Sequence, residues 1–186
     1  MNEFPLHDLY LKTLSELKAG KRPNLALNKD QLSLCVAFFK ELNMRKAPVE
    51  DFLPLLALLD HSRKSHFDLQ EPLIEAIETR TEPQLLTHCL SSSLKVIIAE
   101  CEKKGERIPF NFLEALKTPL KNGDPEVIEW TLRVIEQTGH QSILLKNEVT
   151  ALGKSRWTFF NEHKKNINAL IDFLVKRWTP APNPRK

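Results

Sequence analysis

The sequence predicts an all-α protein, and three observations predict it. All five glycines, Gly20, Gly105, Gly123, Gly139 and Gly153, directly follow stretches in which apolar residues recur at helical spacing, and none interrupts such a stretch. Glycine adopts the left-handed conformation past the last turn of a helix without a Cβ clash, so this placement punctuates the chain as helix, stop, helix. Carboxylates (Glu3, Asp8, Asp30, Glu50, Asp51, Asp68, Glu71, Glu82, Asp124, Glu126) gather in predicted first turns. Cations (Lys18, Arg45, Lys46, Arg63, Lys64, Lys103, Lys104, Lys117, Lys121) gather in last turns or just after. The helix dipole favours that arrangement by about 0.3–1 kcal/mol per exposed charge. No stretch alternates apolar and polar residues with period two over a useful length, so no sheet is expected.

About nine helices follow from the periodicity. Residues 4–18 place Leu6, Leu9, Tyr10, Leu14 and Leu17 on one face, closed by Gly20, and Pro23 blocks continuation. A second helix opens at Asn28, whose side chain can cap while Gln31 reaches back, and carries Leu32, Cys35, Val36, Phe38, Phe39 and Leu42. The third runs from Pro48 to His61 with leucines nearly all round, and Pro54 either kinks it or shifts its start. The fourth opens on Asp68 and Glu71 as a capping pair and buries Leu69, Leu73, Ile74 and Ile77. A long fifth helix begins after Thr81 and Glu82 with Pro83, and carries Leu86, Leu90, Leu94, Ile97 and Cys101 to Gly105. Residues 109–120 form the sixth, with Phe112, Leu113, Leu116 and Leu120 inward. Asp124 caps and Pro125 begins the seventh, which buries Val127, Ile128, Thr131, Leu132 and Ile135 up to Gly139. The eighth spans 141–152 on Leu145, Val149 and Leu152, and the last spans 157–178 on Phe160, Ile167, Leu170, Ile171, Leu174 and Trp178. Residues 1–178 are thus expected to be one helical domain, and 179–186, with Pro180, Pro182 and Pro184, a flexible tail.

A chain of 186 residues, 41% hydrophobic and 27% charged, is long enough for one continuous core and too apolar for intrinsic disorder. The longest dense apolar run, 52–59, is about half the ~18 residues of a membrane span and contains Pro54. Residues 1–11 carry Glu3 and Asp8 and lack a basic stretch followed by an apolar one, so no export signal is expected. Cys35, Cys89 and Cys101 are odd in number, lack paired spacing and sit among apolar residues, which points to core packing in a reducing cytoplasm. The net charge of +3 permits an acidic partner or a nucleic-acid backbone without demanding either.

Sliding the chain on itself aligns Ile74, Glu82, Pro83, Leu85, Leu86 and Leu90 with Leu116, Asp124, Pro125, Val127, Ile128 and Leu132 at a constant offset of 42. Segment 122–135 (NGDPEVIEWTLRVI) resembles the inter-helix turn and second helix of HEAT and armadillo repeats, whose period is about 40–47 residues. It departs from the HEAT pattern at Ile128, where an arginine follows the valine in that family, and at Trp130 and Thr131, where small residues stand. The resemblance covers one repeat clearly and a second faintly. It implies antiparallel helical hairpins stacked in a short right-handed α-solenoid, with an extended concave face that binds partners. The alternative is an irregular helical bundle, which obeys the same local grammar.

No catalytic, metal-binding or cofactor-binding set emerges. His61 and His66 are five apart rather than four and lack a third ligand, so they read as a solvated loop. His88 reads as a partly buried, hydrogen-bonded core-edge residue, and His140 as a contact to the preceding helix end. His7 and His163 have no acid or nucleophile at a telling distance in sequence. Gly153-Lys154-Ser155 lacks the earlier glycine of a phosphate loop, with Glu148 in its place. One segment resists a purely structural reading. Lys154, Arg156, Trp157, Lys164 and Lys165 put cations at a helix N-terminus, the wrong end for the dipole, beside an aromatic cluster with Phe159 and Phe160. They are the candidate partner-binding residues. The same aromatics could instead plug a terminal hairpin while the cations reach outward. The expected function is a non-enzymatic, cytoplasmic interaction module or scaffold for a protein partner. The second expectation is a nucleic-acid binder, by fold-level likeness to the HEAT-like alkylpurine DNA glycosylases. A third is an enzyme whose residues converge from distant helices.

Overall fold

The computed structural model describes residues 4–62, 67–153 and 161–179. Their order is α1 (His7–Lys18), α2 (Lys29–Met44), α3 (Val49–Asp60), α4 (Gln70–Thr79), α5 (Pro83–Ser93), α6 (Ala99–Lys104), α7 (Phe110–Ala115), α8 (Pro125–Gln137), α9 (Lys146–Ala151) and α10 (Glu162–Trp178). Short 3-10 turns stand at Phe67–Leu69, Pro119–Lys121 and Gly139–Leu145. A π turn, Leu94–Ile98, joins α5 and α6 into one continuous rod. The protein is all-α; among the described residues the extended backbone pairs only at an isolated parallel bridge between Leu25 and Ser62.

Local chemistry explains most starts and stops. Asn28 Oδ1 accepts from the Gln31 N–H at 2.8 Å while Gln31 Oε1 accepts from the Asn28 N–H at 3.0 Å, the reciprocal cap expected for α2. Asp124 Oδ1 accepts from the N–H groups of Glu126 and Val127, and Pro125 occupies the first turn of α8, where its missing N–H costs nothing. Pro54 lies inside α3 without ending it.

Other expectations are corrected. Asp68 and Glu71 form no cap: a 3-10 turn leads into α4, and Leu69 has near-helical angles rather than the extended ones a capping residue needs. Gly123 is not a helix stop, because the chain leaves the preceding turn at Asn122 in extended conformation and only the other four glycines have positive φ. The predicted helix 109–120 breaks into α7 and a 3-10 turn that begins at Pro119. The last helix starts at Glu162, capped by Asn161.

The stop that the sequence reading missed is Lys46, with φ +50°, at the end of α2. The Ala47 N–H reaches back to Leu42 O and the Lys46 N–H to Asn43 O, the bonding of a glycine-type helix end made without glycine. A left-handed L-residue costs roughly 1–2 kcal/mol, against a smaller unfolded-state entropy penalty for glycine. Lys46→Gly is therefore expected to stabilise the protein by roughly 0.5–1 kcal/mol, seen as a higher urea midpoint at unchanged slope.

Two sets of helices share the core. α2 packs on α4 and α4 on α7; α3 packs on α5, α5 on α8 and α8 on α10, with α1 against α3. Cross-links give the relative directions. Lys40 meets Glu71, and Asn43 meets Pro72 O and Glu75, so α2 and α4 run parallel. Arg80, just before α5, donates to Ala47 O just before α3, and Lys95 further along the rod reaches the carbonyls of Leu59, Asp60 and Ser62 at the end of α3, so α3 and the α5–α6 rod run parallel. Glu129 meets His163, and Glu136 O meets Arg177, so α8 and α10 run parallel too.

Phe39 and Phe52 meet edge-on at 5.6 Å, and Phe112, Leu55, Leu56, Leu73 and Leu85 are fully buried in the same core. All three cysteines are free and buried, and burial pushes the Cys35 and Cys89 thiols up to about 12, as core packing requires. His88 is half-buried, and the Asp60 carboxylate 3.7 Å from its Nδ1 raises its pKa.

Candidate functional site

The π turn is the natural starting point. Inside the rod the Ala99 N–H bonds to Leu94 O, five residues back, so one extra residue is accommodated in that turn. The turn begins where the Ser93 hydroxyl donates to Leu90 O at 2.7 Å, engaging the carbonyl that an uninterrupted α-helix would use for Leu94. Single π turns concentrate where a helix must re-aim side chains for function. Here the re-aiming serves two sides. Lys95 lays its ammonium over three carbonyls at the end of α3, 2.7 Å from Ser62 O, while Leu94 and Ile98 line a cleft against α8.

That cleft has a volume of about 440 Å³. Leu94, Ile98, Ala99 and Glu102 line it from the rod, Glu129, Trp130, Arg133, Glu136 and Gln137 from α8, and His163 from α10. The α8 residues share one helical face, turned away from the buried Val127 and Thr131 that hold α8 in the core.

Glu129 is the centre of the polar constellation and is 6% exposed. Its Oε1 accepts from Arg133 Nε at 2.9 Å and Nη2 at 2.5 Å, and from Asn166 Nδ2 at 3.1 Å. Its Oε2 lies 2.8 Å from His163 Nδ1, and because a carboxylate only accepts, that nitrogen carries the proton. Burial alone would raise the Glu129 pKa, and the bonds from Arg133, His163 and Asn166 together outweigh it, so the group stays below the usual carboxylate range. A carboxylate that orients a histidine from behind fixes the ring and leaves Nε2 to meet a ligand. Among the described residues no serine, threonine or cysteine lines this cleft to act as a nucleophile. Among the described residues no group of three His, Cys, Asp or Glu side chains forms a metal cage.

Because the Glu129 pKa is depressed by folding, the stability it contributes is complete above the ordinary carboxylate pKa. It is lost as pH falls toward the lowered value. Glu129→Gln is expected to cost about 1 kcal/mol at neutral pH and to flatten the acid side of the stability profile, measured by denaturant unfolding across pH.

The sequence-based candidates fare differently. Lys154, Arg156 and Trp157, like Phe159, Phe160 and His66, lie outside the described residues. Lys165 is exposed in the first turn of α10. Lys164 is half-buried and lines a smaller hollow of about 250 Å³ with Pro125, Ile128, Leu152 and Ile167, near the N-terminus of α8. His163 pairs not with the adjacent Glu162 but with Glu129, 34 positions earlier. The one local signal for the cleft is Trp130, a large aromatic off the apolar stripe of α8 and a departure from the repeat pattern.

No helix among the described residues is long and apolar enough to cross a membrane. Compared with family models, curated proteins and solved structures, the chain matches none.

Proposed function

We propose that the chain is a stack of helical hairpins of the HEAT or armadillo kind that binds a partner protein on the face formed by the π turn, α6, α8 and α10. Several observations support the stacked arrangement. The α4–α5 and α7–α8 pairs related by the offset of 42 bury equivalent residues (Ile74 and Leu116, Leu85 and Val127, Leu90 and Leu132). Both second helices start with an acidic cap residue followed by proline, and Asn122 Nδ2 donates to Thr81 O between the two turns. Parallel neighbours within each set are what repeated hairpins produce. A cytoplasmic location belongs to the same reading and fits the three buried free thiols.

The observation that carries the binding function is the cleft itself. It combines an aromatic, an apolar floor and fixed charges in a concavity between parallel helices, the mixture that makes protein-binding hot spots. Cross-linking tests it. A photoreactive side chain introduced at Gln137, on the cleft rim, is expected to give a discrete protein adduct in the native cell that disappears in the Trp130→Ala variant. The same probe at Met44, 76% exposed on α2, is expected to give none. Equal labelling at both positions would refute the assignment.

The nucleic-acid alternative rests on Lys164 and Lys165 together with the cations outside the described residues. The Glu102 and Glu136 carboxylates on the cleft repel phosphate, so that reading needs the opposite end of α8. Binding to single- or double-stranded DNA that falls steeply between two salt concentrations and with Lys164→Ala would favour it.

A further inference from the structure

We infer that the α6–α8–α10 cleft recognises a basic side chain, arginine or lysine, on the partner protein. This rests on the protein-binding reading of the cleft and states what the cleft selects. Its charges sort into two groups. Both oxygens of Glu129 are engaged, and Arg133 commits its Nε and Nη2 to that carboxylate, so the Glu129, Arg133, His163 and Asn166 cluster is compensated from within. Glu102 and Glu136 line the same cleft, and neither carboxylate has a cationic partner among the described residues. The lining therefore carries uncompensated negative charge beside a half-buried indole, Trp130, and the apolar side chains of Leu94 and Ile98.

A basic side chain satisfies each part of that surface at once. Its methylene stem rests on Leu94 and Ile98, as long cationic side chains do on apolar surface. Its head meets the face of Trp130 and the Glu102 and Glu136 carboxylates, where a cation gains both ring and charge-assisted interactions. An anionic ligand meets the reverse: two unpaired carboxylates, and an arginine whose Nε and Nη2 donors are already used. Charge complementarity thus selects a cationic occupant over a phosphate or an acidic peptide.

The test is a titration of the isotope-labelled chain with three probes: the capped pentapeptides acetyl-GGRGG-amide and acetyl-GGEGG-amide, and inorganic phosphate. The readout is the Trp130 indole N–H resonance, assigned with Trp130→Phe. The arginine peptide is expected to shift this resonance saturably and the other two to leave it in place. The Glu102→Gln/Glu136→Gln double variant is expected to weaken the arginine peptide by about tenfold. Neither substituted carboxylate holds a cationic partner among the described residues, so its thermal midpoint is expected to stay unchanged. The inference is overturned if the arginine peptide leaves Trp130 unshifted, if it binds the double variant equally well, or if the glutamate peptide or phosphate shifts the resonance instead. Cross-linking from position 137 reports on protein binding whichever side chain the cleft prefers, so the two readings fail separately.

Discussion

Glu82→Ala is expected to destabilise the protein by about 2–3 kcal/mol, more than removing the cation it pairs with while keeping its bulk. Arg80 ends α4, and its side chain is 7% exposed. The guanidinium donates to Ala47 O at 2.6 Å and forks onto Glu82, with Nε 3.1 Å from Oε2, and it lies 5.1 Å from the centroid of Phe52. It thereby ties the α2–α3 turn to the start of α5. Truncating Glu82 strands a buried cation with one carbonyl and one ring face. The penalty for a fully buried pair is roughly 3–5 kcal/mol, and the lower figure applies here because Glu82 is 39% exposed and water screens part of the loss.

Arg80→Met instead keeps the stem against Phe52 and releases Glu82 to solvent, so about 1 kcal/mol is expected, and the double variant is expected to resemble Arg80→Met alone. Thermal unfolding separates the three, since 2–3 kcal/mol corresponds to roughly 5–10 °C for a chain of this size. Equal losses for both single variants would mean that the guanidinium is hydrated and the pair behaves as a surface contact.

The same pair has a pH signature. Hydrogen bonding from Arg80 lowers the Glu82 pKa to about 2, against the partial opposition of burial. A folded value below the unfolded one gives stability that is complete above about pH 4.5 and is lost as the pH falls toward 2. In Arg80→Met that acid-limb slope is expected to shrink, leaving chiefly the part that Glu129 contributes.

Legibility in the sequence followed the range of the interaction. The Asn28 and Gln31 cap, the proline-led start of α8 and the buried stripes Cys35, Phe39, Leu42 and Val127, Leu132, Ile135 depend on residues within a few positions, and periodicity exposes them. Lys46 was missed because its left-handed backbone is imposed by how α2 must turn back into α3, with no residue preference to announce it. The π turn leaves the apolar spacing of the rod nearly intact, so Leu90, Leu94, Ile97 and Cys101 read as one α-helix. The Glu129–His163 contact joins residues on two helices that only tertiary packing makes neighbours. Glu129 itself looks from sequence like an ordinary exposed partner of Arg133, and its burial comes from α10 lying across it.

Trp178→Ala is expected to have the largest effect, about 3–5 kcal/mol by the usual cost of emptying a buried tryptophan site. Trp178 is the last residue of α10, 8% exposed, and its indole N–H donates to Ser142 Oγ at 2.9 Å. Arg177 adds a bond to Glu136 O and stacks over Phe173 at 4.7 Å, so the C-terminal end of α10 is pinned to α8 and to the Gly139–Leu145 turn. α10 packs chiefly on α8 and α9, and a terminal helix of that kind can detach while the other helices hold. Loss of Trp178 is therefore expected to appear in hydrogen exchange as lost protection along α10, with α3 and α5 still protected. Because α10 carries His163 and Asn166, its detachment removes two of the three donors to Glu129 and opens the cleft. Partner cross-linking from position 137 should fall in parallel with α10 protection. Trp178→Phe, which keeps most of the apolar contact and loses the bond to Ser142, is expected to cost about 1–2 kcal/mol and to retain cross-linking. Unfolding of Trp178→Ala that is uniform across all helices would instead show that α10 and the core form one cooperative unit.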